Sequence, residues 1–216
     1  MVKAIIGRKL RMTRMYTEDG RMVPLTAIEV GPCPIVQVKT VESDRYNAIQ
    51  IGFLPAKEKK VTKAALGHFN KAKVAPLKHL REIRVDSVEG LEVGGNLDAS
   101  QFAAGDRVDV SGISKGKGFQ GGVRRHHWKG GRMTHGSMFH RRIGSVSPGT
   151  GLARVDRGHN LPGHMGHEKI TIQNIEVMKV DAEHNILYIR GGVPGPDGGI
   201  VFVKTTTKTK KQKIKK

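Results

Sequence analysis

The chain has 216 residues, 37% of them hydrophobic, and its 38 Lys and Arg against 19 Asp and Glu give a formal net charge of +19. That length allows one sizeable core or two small ones, and so large a positive charge makes nucleic acid the first partner to consider and an anionic membrane the second. The membrane is disfavoured, because there is no run of 18 apolar residues, no signal-type apolar region after Met1-Val2-Lys3 and no long amphipathic helix with a bulky apolar face. Cys33, the single cysteine, stands between Pro32 and Pro34; it permits neither an internal disulfide nor a cysteine-built metal site, fits a reducing cytosol and reads as a small buried filler.

In chain order, Ala4 to Tyr16 sets Ile6, Leu10, Met12 and Tyr16 among basic residues, and Glu18-Asp19-Gly20 reads as a tight turn. Val23 to Val30, Ile35 to Val41 and Tyr46 to Phe53 follow as short strands rich in Val, Ile and aromatic residues. This spacing predicts a mainly β protein with minor α, built on a closed or nearly closed antiparallel barrel. Residues 57–81 read as a helical excursion: Thr62 is placed to cap Lys63 to Lys71, and Pro76 to open a second short helix through Leu80. Their Lys-rich faces are suited equally to touching RNA and to simple solvation. Ile83 to Val88 and Leu91 to Val93 resume strand character, Asn96 to Phe102 fits no single pattern, and Ala103-Ala104-Gly105-Asp106 turns into an alternating strand, Arg107 to Val110.

From Gly112 to Gly166 the pattern disappears. These residues hold half of the chain's 28 glycines, ten Lys or Arg, six of ten His and a single acid, Asp156. No apolar run keeps a helical or strand period here, so the segment cannot close a core of its own and needs ordering contacts from outside the chain. After it, Ile170, Ile172, Ile175 and Val177 mark a long strand or pair, Asp181 to Asn185 a turn, and Ile186 to Ile189 with Ile200 to Val203 a hairpin-like end. The expected organisation is therefore a discontinuous barrel body, 1–111 and 167–204, with a long irregular basic extension, 112–166, inserted between two strands. A tail, 205–216, has six Lys and no acid and is expected to be disordered.

The extension's composition points to a polyanion. Glycines let the backbone approach a phosphate, and Arg forks bridge phosphate oxygens or stack on a base. The candidate RNA-binding residues are Lys115, Lys117, Arg124, Arg125, His126, Trp128, Lys129, Arg132, His135, His140, Arg141, Arg142, Arg154 and Arg157. Trp128, a flat ring among cations, suits stacking on an unpaired base, or else serves as a local hydrophobic anchor at the root of the insertion. The histidine spacings follow no common ligand pattern and no Cys or acid cluster accompanies them, so no metal site is expected. Asp156 reads as a charge-balancing partner of Arg154 or Arg157. Gly116-Lys117-Gly118-Phe119-Gln120-Gly121 matches half of the dinucleotide fingerprint. The other half fails, because Arg141 and Arg142 stand where an acidic ribose ligand belongs.

Phe102, Asp109, Gly112, Ser114, Gly116-Lys117-Gly118, Gly121 and Arg125 stand at the spacing of the large ribosomal subunit protein L3 family, nine residues fixed within 24. Gly31-Pro32-Cys33-Pro34-Ile35-Val36-Gln37, Ala48-Ile49-Gln50-Ile51-Gly52, His140-Arg141-Arg142 and Gly163-His164-Met165-Gly166 also resemble this family, in its bacterial form, so the likeness runs to about Lys204. The resemblance implies a translation-factor-like β-barrel body with two short helices and an extension threading into ribosomal RNA. It implies direct binding of large-subunit ribosomal RNA early in assembly, neighbouring ribosomal proteins as partners and a cytoplasmic place in the ribosome. It implies no catalysis by the protein, no cofactor, no metal and no small-molecule substrate.

By position, the tip near the peptidyl transferase centre comprises Ser145, Val146, Ser147, Pro148, Gly149, Thr150 and Gly151. This sequence departs from the family where relatives carry a Gln, methylated in some, near Pro148 or Thr150; it departs also at Leu161-Pro162, where relatives tend to have Lys, Arg or Met, and at Arg11, where they have Gly. An arm of this length reaches on the order of 90 Å fully extended, and about half that with bends. Two other classes stand beside this one. An RNA-modifying or RNA-cleaving enzyme needs a cofactor pocket or a carboxylate and histidine constellation that the sequence does not single out, and a duplex-DNA binder needs a recognition helix or wedge.

Overall fold

A computed structural model of the protein describes residues 4–147, 151 and 154–208. The chain divides into two compact units: one runs through Ile113 and resumes at Lys169, and the other is Ser114–Glu168. The handover lies two residues later at each end than the sequence indicates, because Gly112 and Ile113 still belong to a strand, paired with Ile170 and Lys169.

The first unit is built on a closed barrel. Its strands are β1 (Ala4–Tyr16), β2 (Met22–Val30), β7 (Arg107–Ile113), β10 (Lys169–Asp181), β11 (Ile186–Arg190) and β12 (Ile200–Thr205), in the spatial order β1-β12-β7-β10-β11-β2 with every pairing antiparallel. Closure leaves no free sheet edge around the core. Ile5, Ile28, Val30, Val108, Val110, Val177, Leu187, Ile189, Val201 and Val203 fill the interior, all buried. β12 runs on to Thr205, paired with Val108, and the Thr206 amide donates to the Arg107 carbonyl, so the barrel extends past Lys204. Residues 209–216 of the expected tail lie outside the described residues.

A second sheet packs on this core, in the order β5-β4-β3-β6, from β3 (Cys33–Lys39), β4 (Ala48–Pro55), β5 (Leu77–Arg84) and the short β6 (Asn96–Leu97). Ile35, Ile49, Ile51, Phe53 and Ile83 join the barrel residues in one continuous cluster. On the sheet's other face Val36 meets Phe69 and Ala72 of helix α2 (Lys63–Ala72), with Leu77 and Leu80 alongside. The Thr62 hydroxyl accepts from the Ala65 amide at 3.4 Å, which makes it the cap read from the sequence. Lys39 reaches from β3 to Glu82 on β5 at 2.6 Å, and both bond to the Tyr46 hydroxyl. That bond from Lys39 lowers the Glu82 carboxyl below its usual range, and the bond to Glu82 raises the Lys39 ammonium. The pair is intact at neutral pH; its contribution is lost as pH falls through the lowered Glu82 value or rises through the raised Lys39 value.

Several local expectations are corrected. Pro76 to Leu80 is not a second helix: Leu77–Arg84 is a strand, paired from Leu77 with Pro55 to Arg84 with Ala48. Both faces of this sheet are covered, so Leu77 and Leu80 pack under α2 while Ile83 packs in the main core, an apolar spacing that imitates a helix. Pro76 instead lends its carbonyl to the Ala56 amide at 2.8 Å. Residues 91–93 form no strand, Ile83 to Val88 is strand only as far as Arg84, and a short helix, α1 (Val41–Asp44), follows β3.

Asp109 is not an outward residue of an alternating strand. It is buried, and its carboxylate accepts from the Asn174 amide at 2.9 Å, where β10 bulges between Ile172 and Ile175. Lys9 is likewise buried, donating to the Val193 and Gly195 carbonyls at 3.0 and 2.9 Å. Cys33 is buried, and burial pushes its thiol up to about 11, which leaves it an unreactive filler.

Candidate nucleic-acid interface

The second unit, Ser114–Glu168, holds itself together with hydrogen bonds in place of a core. At its root the Ser114 amide donates to the Glu168 carbonyl at 2.9 Å, and Lys117 does the same to Met165 at 2.9 Å. Strand β8 (Gly118–Gln120) then pairs with β9 (Gly163–Met165), Gly118 opposite Met165 and Gln120 opposite Gly163. A single helical turn and a half, α3 (Gly122–His126), follows and stops at His127, whose φ of 58° is left-handed.

Arg125 and His126 on that helix both point at one carbonyl. A guanidinium N–H of Arg125 donates to the Leu161 oxygen at 2.7 Å, and Nε2 of His126 lies 3.1 Å from the same atom, as the Nε2–H tautomer requires. These bonds tie the outgoing and returning strands of the arm 36 residues apart. Trp128 lies on Gly122, where any side chain would collide with the indole ring, and stacks on His126 with centroids 6.3 Å apart. Trp128 thus packs locally at the start of the arm and stays partly exposed.

Further out, residues 130–140 close a small loop. The Gly131 amide donates to the His140 carbonyl at 2.9 Å, and Nδ1 of His140 approaches the Arg132 carbonyl at 2.8 Å. A side chain on Gly131 would strike the Phe139 carbonyl, so the loop's tight crossing requires glycine there. Of the expected tip, Ser145, Val146, Ser147 and Gly151 are described: the Ser145 hydroxyl donates to the Ser147 carbonyl at 2.7 Å, and Gly151 has φ of +118°. Pro148, Gly149 and Thr150 lie outside the described residues.

Lys115, Lys117, Arg124, Lys129, Arg132, His135, His140, Arg141, Arg142, Arg154 and Arg157 are all exposed, whereas Arg125, His126 and Trp128 are half-buried by the packing above. Among the described residues no carboxylate forms an ion pair with any Lys or Arg of this unit. That includes Asp156, which does not pair with Arg154 or Arg157; its main-chain oxygen accepts from the His159 amide at 3.3 Å. The cationic groups are thus left to solvent or to an external anion. Among the described residues no three His, Cys, Asp or Glu side chains gather as a metal-holding group, and no helix is long and apolar enough to cross a membrane.

Sequence reasoning passed over four residues here. Phe119, Met133, Met138 and Phe139 are large, apolar and exposed, Met138 to 82%. The signal was available: apolar residues in a stretch without period have no core to enter, so they stay exposed.

Fold and charge together define a β-barrel protein with a cationic, hydrogen-bonded arm inserted between two paired strands. A family profile described as Ribosomal protein L3 matches residues 88–185, which span the junctions at both ends of that arm. The chain is 53% identical over 210 residues to the large ribosomal subunit protein uL3 of Carboxydothermus hydrogenoformans, covering 97% of this chain and all of the relative. It is 50% identical over 210 residues to the uL3 protein of Pelotomaculum thermopropionicum, with the same coverage, and 45% identical over 214 residues to that of Petrotoga mobilis, covering 99% of this chain and all of the relative. The chain belongs to the ribosomal protein L3 family, a family of structural ribosomal proteins.

Proposed function

We propose that the protein is a structural component of the large ribosomal subunit that binds ribosomal RNA directly through Ser114–Glu168 and supports subunit assembly. The observation that carries this reading is a unit with ten Lys and Arg, no apolar core and no internal ion pair among its described residues. Such a unit leaves its cations to be paired by an external polyanion, and glycines that admit close backbone approach favour phosphates. Arg124, Lys129, Arg132, Arg141 and Arg142 supply the phosphate-binding shaft. The segment Ser145–Gly151 carries no cation and fits a tight RNA cavity by shape, towards the peptidyl transferase centre, where the RNA does the chemistry. Neighbouring ribosomal proteins meet the barrel, and the place of action is the cytoplasmic ribosome.

The test is co-sedimentation of the tagged full-length chain with large subunits through a high-salt sucrose cushion. Stoichiometric retention is expected. Recovery of the chain only at the top of the gradient contradicts the reading.

A further inference from the structure

The second unit does not account for every cation that lacks a partner. From Met12 onward β1 has only β2 beside it, because β12 pairs with β1 from Ala4 to Arg8 and no further. The two strands continue past the barrel as a hairpin. Its register sets Met12 opposite Thr26, Arg14 opposite Pro24 and Tyr16 opposite Met22, so with a side-chain period of two these residues share one face.

Apart from Thr26, which is buried, that face is not covered. Met12 is 53% exposed, Tyr16 62% and Met22 57%, with Arg14 between Met12 and Tyr16. No acid lies on it, since Glu18 and Asp19 belong to the turn. The guanidinium groups of Arg14 and of the neighbouring Arg11 and Arg21 make no ion pair or hydrogen bond among the described residues, in contrast to Arg8, whose partner Glu29 lies 2.6 Å away.

The hairpin also stands at a particular end of the barrel. Val201 of β12 pairs with Gly7 on one side and Gly112 on the other, so the part of β1 beyond Arg8 leaves the barrel at the end where β7 finishes at Ile113 and β10 begins at Lys169. Ile113 and Ile170 at that end are exposed as well. An exposed ring and thioethers flanked by arginines without carboxylate partners match the chemistry of RNA. The ring and thioethers suit the face of an unpaired base or a sugar edge, and the arginine fork suits phosphate.

We propose that the β1–β2 hairpin face, Met12, Arg14, Tyr16 and Met22, is a second RNA-binding surface of this protein, separate from Ser114–Glu168, with Tyr16 stacking on an unpaired base and Arg14 on the adjoining phosphate. It rests on the reading that the protein binds large-subunit ribosomal RNA. A protein partner would need an acidic group to meet the unpaired Arg14 and is the competing outcome.

The test is ultraviolet crosslinking of the full-length chain to a large-subunit ribosomal RNA transcript, with peptide mapping after trypsin, repeated in assembled subunits. A nucleotide adduct is expected within Met15–Arg21. Tyr16→Ala is expected to weaken binding about tenfold and Tyr16→Phe to leave it near the parent, because stacking needs the ring and not the hydroxyl. Arg14→Gln is expected to lower the slope of log affinity against log salt by roughly 0.7 to 0.9. Tyr16 is mostly solvent-exposed, so these changes leave the barrel core intact; thermal melts of each variant verify that. If peptides of Ser114–Glu168 carry RNA adducts but the hairpin carries none, and Tyr16→Ala binds like the parent, the inference fails while the RNA-binding reading stands. A hairpin joined to another protein in assembled subunits overturns it too. Absence of RNA adducts from both regions would defeat both.

Discussion

Excising Ser114–Glu168 and joining Ile113 to Lys169 through Asn-Gly is expected to leave a folded barrel with only a small part of the parent's affinity for ribosomal RNA. The closure is geometrically sound, because Ile113 and Lys169 are direct antiparallel partners and a two-residue turn is the natural link between such a pair. Stability is expected to survive, since every residue of the two apolar clusters lies outside the excised segment. Affinity is expected to fall because the segment carries ten Lys and Arg against two acids. Every phosphate that the shortened chain no longer neutralises lowers the slope of log affinity against log salt by roughly 0.7 to 0.9, so the weakening is largest at low salt. Thermal melts and filter binding between low and moderate salt provide both readouts. A variant that melts far below the parent would show that the barrel depends on its arm.

Gly7→Val is expected to destabilise the barrel more than any surface change. A Cβ at Gly7 would lie 2.7 Å from Cγ2 of Ile28, 2.8 Å from the Glu29 carbonyl oxygen and 2.8 Å from Cγ1 of Val30. One of these is backbone fixed by the β1–β2 pairing, and the others belong to fully buried side chains, so nothing yields cheaply. Overpacking of this kind costs about 1–3 kcal/mol, which for a chain of this size lowers the melting temperature by roughly 3 to 10 °C. The control has the opposite sign. Gly67, exposed within α2, has nothing within 4 Å of its would-be Cβ, and Gly67→Ala is expected to add up to about 1 kcal/mol through helix propensity. If Gly7→Val melted at the parent temperature, the tight crossing of β1 and β2 would be wrong.

The barrel was legible because its strands carry their own punctuation. Glu18-Asp19-Gly20 and Asp181 to Asn185 are turn sequences at the ends of strands rich in Val and Ile, and the structure places turns at both. What misleads is burial on two faces. Leu77, Leu80 and Ile83 follow a helix-like spacing only because β5 feeds two different apolar clusters, a fact of tertiary packing that no local window contains. The alternation of Arg107 to Val110 puts Asp109 opposite in direction to the buried Val108 and Val110, yet it too is buried, because the bulge that its carboxylate satisfies lies 65 residues away.

The arm shows the same division. Its charge, glycine content and lack of period are properties of composition and were plain. The convergence of Arg125 and His126 on the Leu161 carbonyl, the seat of Trp128 on Gly122 and the closed loop at residues 130–140 are long-range or conformational, and composition is silent on them. The hairpin face was obscured for another reason: Met12 and Tyr16 stand among basic residues in a strand-like run, and only their exposure in the fold, with that of Met22, reveals that the face is bare.

The central claim is that the exposed cations of Ser114–Glu168 are the groups that meet ribosomal RNA. Arginine-selective chemical labelling of the full-length chain, free and bound to large-subunit ribosomal RNA, measures this residue by residue. Arg124, Arg132, Arg141, Arg142, Arg154 and Arg157 are expected to label readily in the free protein and to be strongly protected in the complex, while Arg81 and Arg84 on β5 keep their reactivity. Protection confined to Arg81 and Arg84, with the arm's arginines labelling equally in both states, would contradict it.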